Sequence, residues 1–163
     1  MKKLDLYSKG KIAGAYMFLA SLISFLTLSP WYKVVRYTLE KETVNCTPIE
    51  YFSYGNAVPA YRNMLIIFYA LLLVTALSGI CLYLISHFKK SSMIISFVNV
   101  FVFVATTYIA LGYFFECDGL NVPCIILSIA GVIVVGIYFV YALCAFIVHR
   151  MEAKTEKKIK NMK

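Results

Sequence analysis

The 163-residue chain is 61% hydrophobic and 15% charged, with a mean hydropathy of +0.78. Soluble domains run at about 45–50% apolar and about 25% charged, so a water-soluble enzyme is excluded. Disorder needs low hydrophobicity and a collagen-like fibre needs far more than 8 Gly and 4 Pro. What remains is an all-α integral membrane protein.

A helix needs about 20 apolar residues to cross a hydrocarbon core of about 30 Å. Four uncharged stretches qualify, at 12–29, 64–86, 93–115 and 124–148, and none holds Asp, Glu, Lys, Arg or His. Backbone groups in lipid must pair within the segment, and the period-2 alternation of a barrel strand is missing, so each stretch predicts a helix. The first stretch is longer than the apolar region of a secretory leader and no A-x-A site follows it, which predicts a retained span.

The short links at 87–92 and 116–123 make spans two, three and four antiparallel neighbours, giving an up-down four-helix bundle in a single membrane domain, 1–163. Helices in lipid associate through small residues and hydrogen bonds, and Ala20/Ser24, Thr75/Gly79 and Thr106/Ala110 supply such pairs at i,i+4.

Charge placement orients the bundle. The N-terminal arm, the 87–92 link and the tail at 149–163 hold 12 of the 16 basic residues against Asp5, Glu152 and Glu156. The opposite side carries Lys33, Arg36, Lys41 and Arg62 against five acidic residues. The positive-inside rule therefore predicts both termini cytoplasmic, in a multi-pass protein expected in the cell (plasma) membrane. The net charge of +8 becomes a topology signal, with the basic tail facing anionic lipid headgroups rather than nucleic acid.

The long first outer loop, 30–61, contains alternation at Val35, Tyr37 and Leu39 that resumes at Thr43, Val44 and Cys46, which predicts a small β-hairpin. After Thr47-Pro48 it turns aromatic and turn-rich. Too short for a core of its own, the loop should lie on the end of the bundle. Trp31, Tyr32, Tyr61 and Tyr113 fall where an aromatic belt would sit.

Of the five cysteines, Cys81 and Cys144 read as packers within spans, and Cys46, Cys117 and Cys124 fall on the outer side, where disulfides persist. Cys117–Cys124 closes a tight turn, and Cys46 with one of them is the alternative. Asn45-Cys46-Thr47 fits a glycosylation sequon at Asn45. No C-x-x-C pair is present to relay electrons to a quinone. His87 and His149 stand at the cytoplasmic ends of spans two and four, where a haem or metal site is the alternative to two interfacial rings. Asn99, the most polar group deep in a span, should bond a neighbouring helix at the level of Ser78, Cys81, Tyr138 and Tyr141. No catalytic, cofactor or metal motif is legible.

In its topology, and in Trp31 after span one, Asn45-Cys46 in the loop and Arg62 opening span two, the chain resembles the claudin and peripheral-myelin-protein type of four-helix membrane proteins. The family's Gly-Leu-Trp triplet and its second loop cysteine are absent. The resemblance implies a small β-sheet on a left-handed bundle, Trp31 anchoring sheet to membrane, and a role in adhesion or association with other membrane proteins. The functional expectation is a non-catalytic protein acting through association, as adhesion element, scaffold or accessory subunit of a larger membrane complex, or by forming an oligomer. A membrane redox protein and a channel or transporter subunit are the alternatives.

Overall fold

The computed structural model describes residues 4–31, 34–38, 43–55, 57–85, 89–113 and 122–160. Four helices are long and apolar enough to cross a membrane: α1 (Leu4–Thr27), α3 (Pro59–Ile85), α4 (Lys89–Tyr113) and α5 (Val122–Lys160). Between α1 and α3 lie β1 (Val35–Thr38), β2 (Thr43–Cys46) and the short α2 (Pro48–Ser53). The chain is thus an all-α membrane protein bearing one small hairpin.

Each long helix outruns its uncharged stretch. α3 starts at Pro59, because proline is preorganised for the first helical turn and has no N–H to lose there. α5 continues to Lys160, since a helix satisfies its own backbone hydrogen bonds in water as well as in lipid. The helices form a ring in the order α1, α3, α4, α5, with α5 closing back on α1.

Burial follows one spacing. α3 buries Leu65, Phe68, Leu72, Thr75, Gly79 and Leu82. The buried line of α5 is Cys124, Ser128, Gly131, Val135, Tyr138 and Ala142, and that of α4 runs through Ser92, Ser96, Asn99, Phe103, Thr106 and Ala110. These alternating steps of three and four average 3.5 residues, the period that left-handed packing of helices buries. All three small-residue pairs expected from the sequence lie on buried lines.

Two seams show how the ring closes. At α1/α3, a Cβ on Gly14 would stand 2.6 Å from the Gly79 carbonyl oxygen, and one on Gly79 would stand 2.7 Å from that of Gly14. Backbone rests on backbone there. At α4/α5, a Cβ on Gly131 would meet the Phe103 ring at 2.6 Å, so the glycine is a notch that receives an aromatic side chain. The Tyr16 hydroxyl of α1 donates to the Leu127 carbonyl of α5 at 2.6 Å, bridging the seam between those two helices.

At the other end of α1, the Tyr69 hydroxyl donates to the Leu28 carbonyl at 2.6 Å. A carbonyl that the end of α1 leaves without a helical partner is satisfied by α3.

Candidate functional site

The segment between α1 and α3 folds into a cap on the bundle. β1 and β2 pair antiparallel, with Val35 opposite Cys46 and Thr38 opposite Thr43, as the alternation predicts. The stretch after Thr47, read from the sequence as turn-rich, instead contains α2. Its signal was present: Thr47-Pro48-Ile49-Glu50 is a capping box with proline at the first turn. Thr47 Oγ1 accepts the Glu50 amide at 3.3 Å, and Glu50 Oε2 accepts the Thr47 amide at 2.8 Å. Such a cap is worth about 1 kcal/mol.

Further bonds tie the cap down. The Ile49 amide donates to the Pro30 carbonyl at 3.2 Å. The Tyr51 ring is fully buried beneath α2, and its hydroxyl accepts the Val58 amide at 3.0 Å. Arg62 Nη2 donates to the Tyr54 carbonyl at 3.0 Å. Beneath these bonds Leu28, Cys46, Tyr51 and Ala57 join Leu65, Phe68 and Cys124 in one apolar cluster. The cap and the adjoining ends of the helices therefore share a core, which the loop on its own is too small to build.

Burial sets the titration of the groups inside the cap. The Cys46 thiol is pushed above its ordinary value of 9.0, first by desolvation and then by the neighbouring Glu50 carboxylate. Tyr51 is pushed above 10.0 by burial, against the opposing effect of the Val58 amide bonded to it. Cys46 is a protonated, weakly nucleophilic thiol at neutral pH.

While its interior is closed, the cap displays apolar side chains. Trp31 is 62% exposed, and Val34, Ile49 and Tyr54 are also exposed. Trp31 is braced edge-on against Phe25 at 5.7 Å between ring centroids, and Phe25 against Tyr69 at 6.1 Å. A row of rings thus links the displayed tryptophan to α1 and α3.

Arg62 joins the cap, with its Nε buried and without a hydrogen-bond partner. Cys46 and Cys124 are buried free thiols within the same cluster, and Cys117 lies outside the described residues. The hydroxyls of Ser24 and Ser128 stand beside the Cys124 thiol, one of them from α1. Cys81 and Cys144, expected as packers, lie exposed on their helices. Asn45 is exposed on β2, whereas the Thr47 hydroxyl of its sequon is engaged in the α2 cap. His149 is exposed near the end of the apolar part of α5, and His87 and Tyr32 fall outside the described residues.

Asn99 corrects an expectation. It is 1% exposed, yet its Nδ2 donates at 2.8 Å to the Ile95 carbonyl of its own helix, and its Oδ1 has no partner. A short amide in a helix reaches the carbonyl four residues back more easily than the next helix. Other polar side chains of the bundle behave alike. Thr75 donates to Leu71, Ser96 to Ser92 and Thr106 to Val102, each to a carbonyl four residues back. These groups spend their donors on their own backbones rather than on the next helix.

Among the described residues no group of three or more His, Cys, Asp or Glu is placed to hold a metal ion. No protein family, no curated protein and no solved structure matches this chain. The claudin-like resemblance expected from Trp31, Cys46 and Arg62 gains no support from these comparisons.

Proposed function

We propose that this protein acts without catalysis, through association with other membrane proteins or with copies of itself, and that the cap is the surface it offers. The observation that carries this reading is the contrast inside the cap. A capping box and the Pro30–Ile49, Tyr51–Val58 and Arg62–Tyr54 hydrogen bonds hold it rigidly, while Trp31, Val34, Ile49 and Tyr54 are displayed. A rigid apolar platform loses little conformational entropy when it is covered, and aromatic anchors dominate such contacts. In this reading the termini face the cytoplasm of a cell membrane, the cap faces outward, and the basic tail lies against anionic headgroups.

The test is the mass of the particle extracted from its native membrane in a mild detergent. A stoichiometric complex or defined oligomer is expected, lost on Trp31→Ala combined with Ile49→Asp while the bundle's melting temperature holds. A monodisperse monomer that brings nothing with it overturns the reading.

A further inference from the structure

The end of the bundle opposite the cap carries a second arrangement that the association reading leaves unused. Lys9 and Lys11 lie on either side of Gly10, which is buried on α1. At about 100° per residue, they project from the two flanks of that helix. Each meets an aromatic ring of a different neighbour. Lys9 Nζ stands 4.0 Å from the centroid of Tyr141 on α5, and Lys11 Nζ stands 5.3 Å from that of Tyr83 on α3 and 4.3 Å from that of Tyr7. Cation–π attraction at such distances holds an ammonium in place while it keeps its full charge.

Depth gives these charges their meaning. Lys9 precedes Thr27, the last residue of α1, by 18 positions, or about 27 Å at 1.5 Å per residue. The hydrocarbon core is about 30 Å thick, so with the cap end of α1 at one boundary the lysine backbones lie just inside the other, from which their long side chains reach out to the phosphates. Ile12, Leu19 and Leu26 are exposed along α1 beyond them, an apolar track on which acyl chains can lie. Most of the chain's basic residues gather at this end, with Asp5, Glu152 and Glu156 as its acidic ones.

We propose that Lys9 and Lys11 each bind the phosphate of an anionic phospholipid, one on either flank of α1 at its seams with α5 and α3, and that the two bound lipids hold α1 in the ring. A zwitterionic headgroup brings its own ammonium to the rim and fits less well. The two sites are distinct from the basic tail, where Arg150 stacks on Phe146 of its own helix and so bridges no two helices. They are also independent of whatever the cap binds.

The experiment reconstitutes the full chain in nanodiscs of phosphatidylcholine, with and without phosphatidylglycerol. It reads the unfolding temperature, together with phosphatidylglycerol retention by native mass spectrometry. Phosphatidylglycerol should raise the unfolding temperature by several degrees, and Lys9→Gln with Lys11→Gln should remove most of that rise. Retention should fall about fivefold per lysine removed, the value of one basic residue at an anionic surface. Lys9→Arg with Lys11→Arg should restore both, because arginine also stacks on aromatic rings. A tail variant with Lys154, Lys157, Lys158 and Lys160 changed to Gln should keep the rise.

Loss of the rise in the tail variant but not in the Lys9/Lys11 variant overturns the proposal in favour of diffuse attraction. So does an unchanged unfolding temperature in phosphatidylglycerol. An equal rise from inorganic phosphate in detergent would replace the lipid with a free anion and overturn it too.

Discussion

The α1/α3 and α4/α5 seams both rely on glycine, and they rely on it differently. At Gly14 and Gly79 two backbones touch, and the atoms nearest an added Cβ are main-chain oxygen and nitrogen. At Gly131 the nearest atoms belong to the side chain of Phe103. A helix backbone cannot yield without moving the whole helix, whereas a ring can rotate. Crowding at the first seam should therefore be far more costly than at the second.

Gly79→Leu should have the largest effect. Overpacking in a tight core costs about 1–3 kcal/mol and occasionally more, and here there is no side chain to give way. Thermal unfolding in detergent should show a loss at or above the top of that range, with α1 detached, read as cysteine cross-linking between α1 and α3 that disappears. If the variant melts within a degree or two of the natural protein, the backbone contact is not what joins these helices.

Gly131→Ala should cost less, about 1 kcal/mol, and Phe103→Leu should recover most of it by clearing the ring. The double-variant cycle sharpens the comparison, because no partner substitution should rescue Gly79→Leu. Additive losses at Gly131 and Phe103 would show that the notch and the ring are not coupled.

Asn99→Leu moves stability the other way. The buried Oδ1 has no partner, and such a group costs about 1–3 kcal/mol. Replacing the amide with a side chain of similar volume should raise the melting temperature by a few degrees. A drop would mean that Asn99 serves a partner that the folded monomer lacks.

The smallest effects belong to Thr75→Ala and Thr106→Ala, within about 0.5 kcal/mol each, because both hydroxyls bond their own helix and the average interhelical hydrogen bond in a membrane is itself worth about 0.6 kcal/mol. A loss of more than about 2 kcal/mol at Thr75 would reveal a bond across to α1.

The cap differs in its response to pH. Below its ordinary value the Cys46 thiol is protonated in folded and unfolded chains alike. Between that value and the raised one, only the unfolded chain releases its proton. Cap stability should therefore fall as pH rises above about 9, a small effect visible as faster alkylation of Cys46 than thiolate chemistry alone predicts. Glu50→Gln relieves part of the upward pressure on the thiol and keeps the capping box, because a glutamine oxygen also accepts the Thr47 amide. Cys46→Ser is the control for the alkylation site.

How much of this was legible depends on the residue. The spans were plain, because a run of uncharged residues has only one stable form in lipid. The hairpin followed from alternation at Val35, Tyr37, Val44 and Cys46, and α2 was hidden only because its capping box opens onto a stretch of aromatics, Gly and Pro that reads as turn. Thr75 and Gly79 stood out as a small-residue pair, but Gly14, which meets Gly79, did not. One helix's notch identifies nothing about which glycine of which helix enters it. Asn99 was visible as a polar group at depth, while the direction of its amide was set by a rotamer on its own helix.

The amino-acid chemistry alone dictates that the chain enters a membrane with four helices, that 12 basic residues gather at one end, and that an aromatic, turn-rich loop lies at the other. These are properties of local hydropathy and charge, which need no knowledge of neighbours. Packing alone decides the ring order, the contact of Gly14 with Gly79, the burial of Cys46 beside Tyr51, and the placing of Lys9 and Lys11 on rings from two different helices. Each of those depends on side chains far apart in sequence sharing one volume, and close packing in three dimensions is what selects among the arrangements that the same hydropathy allows.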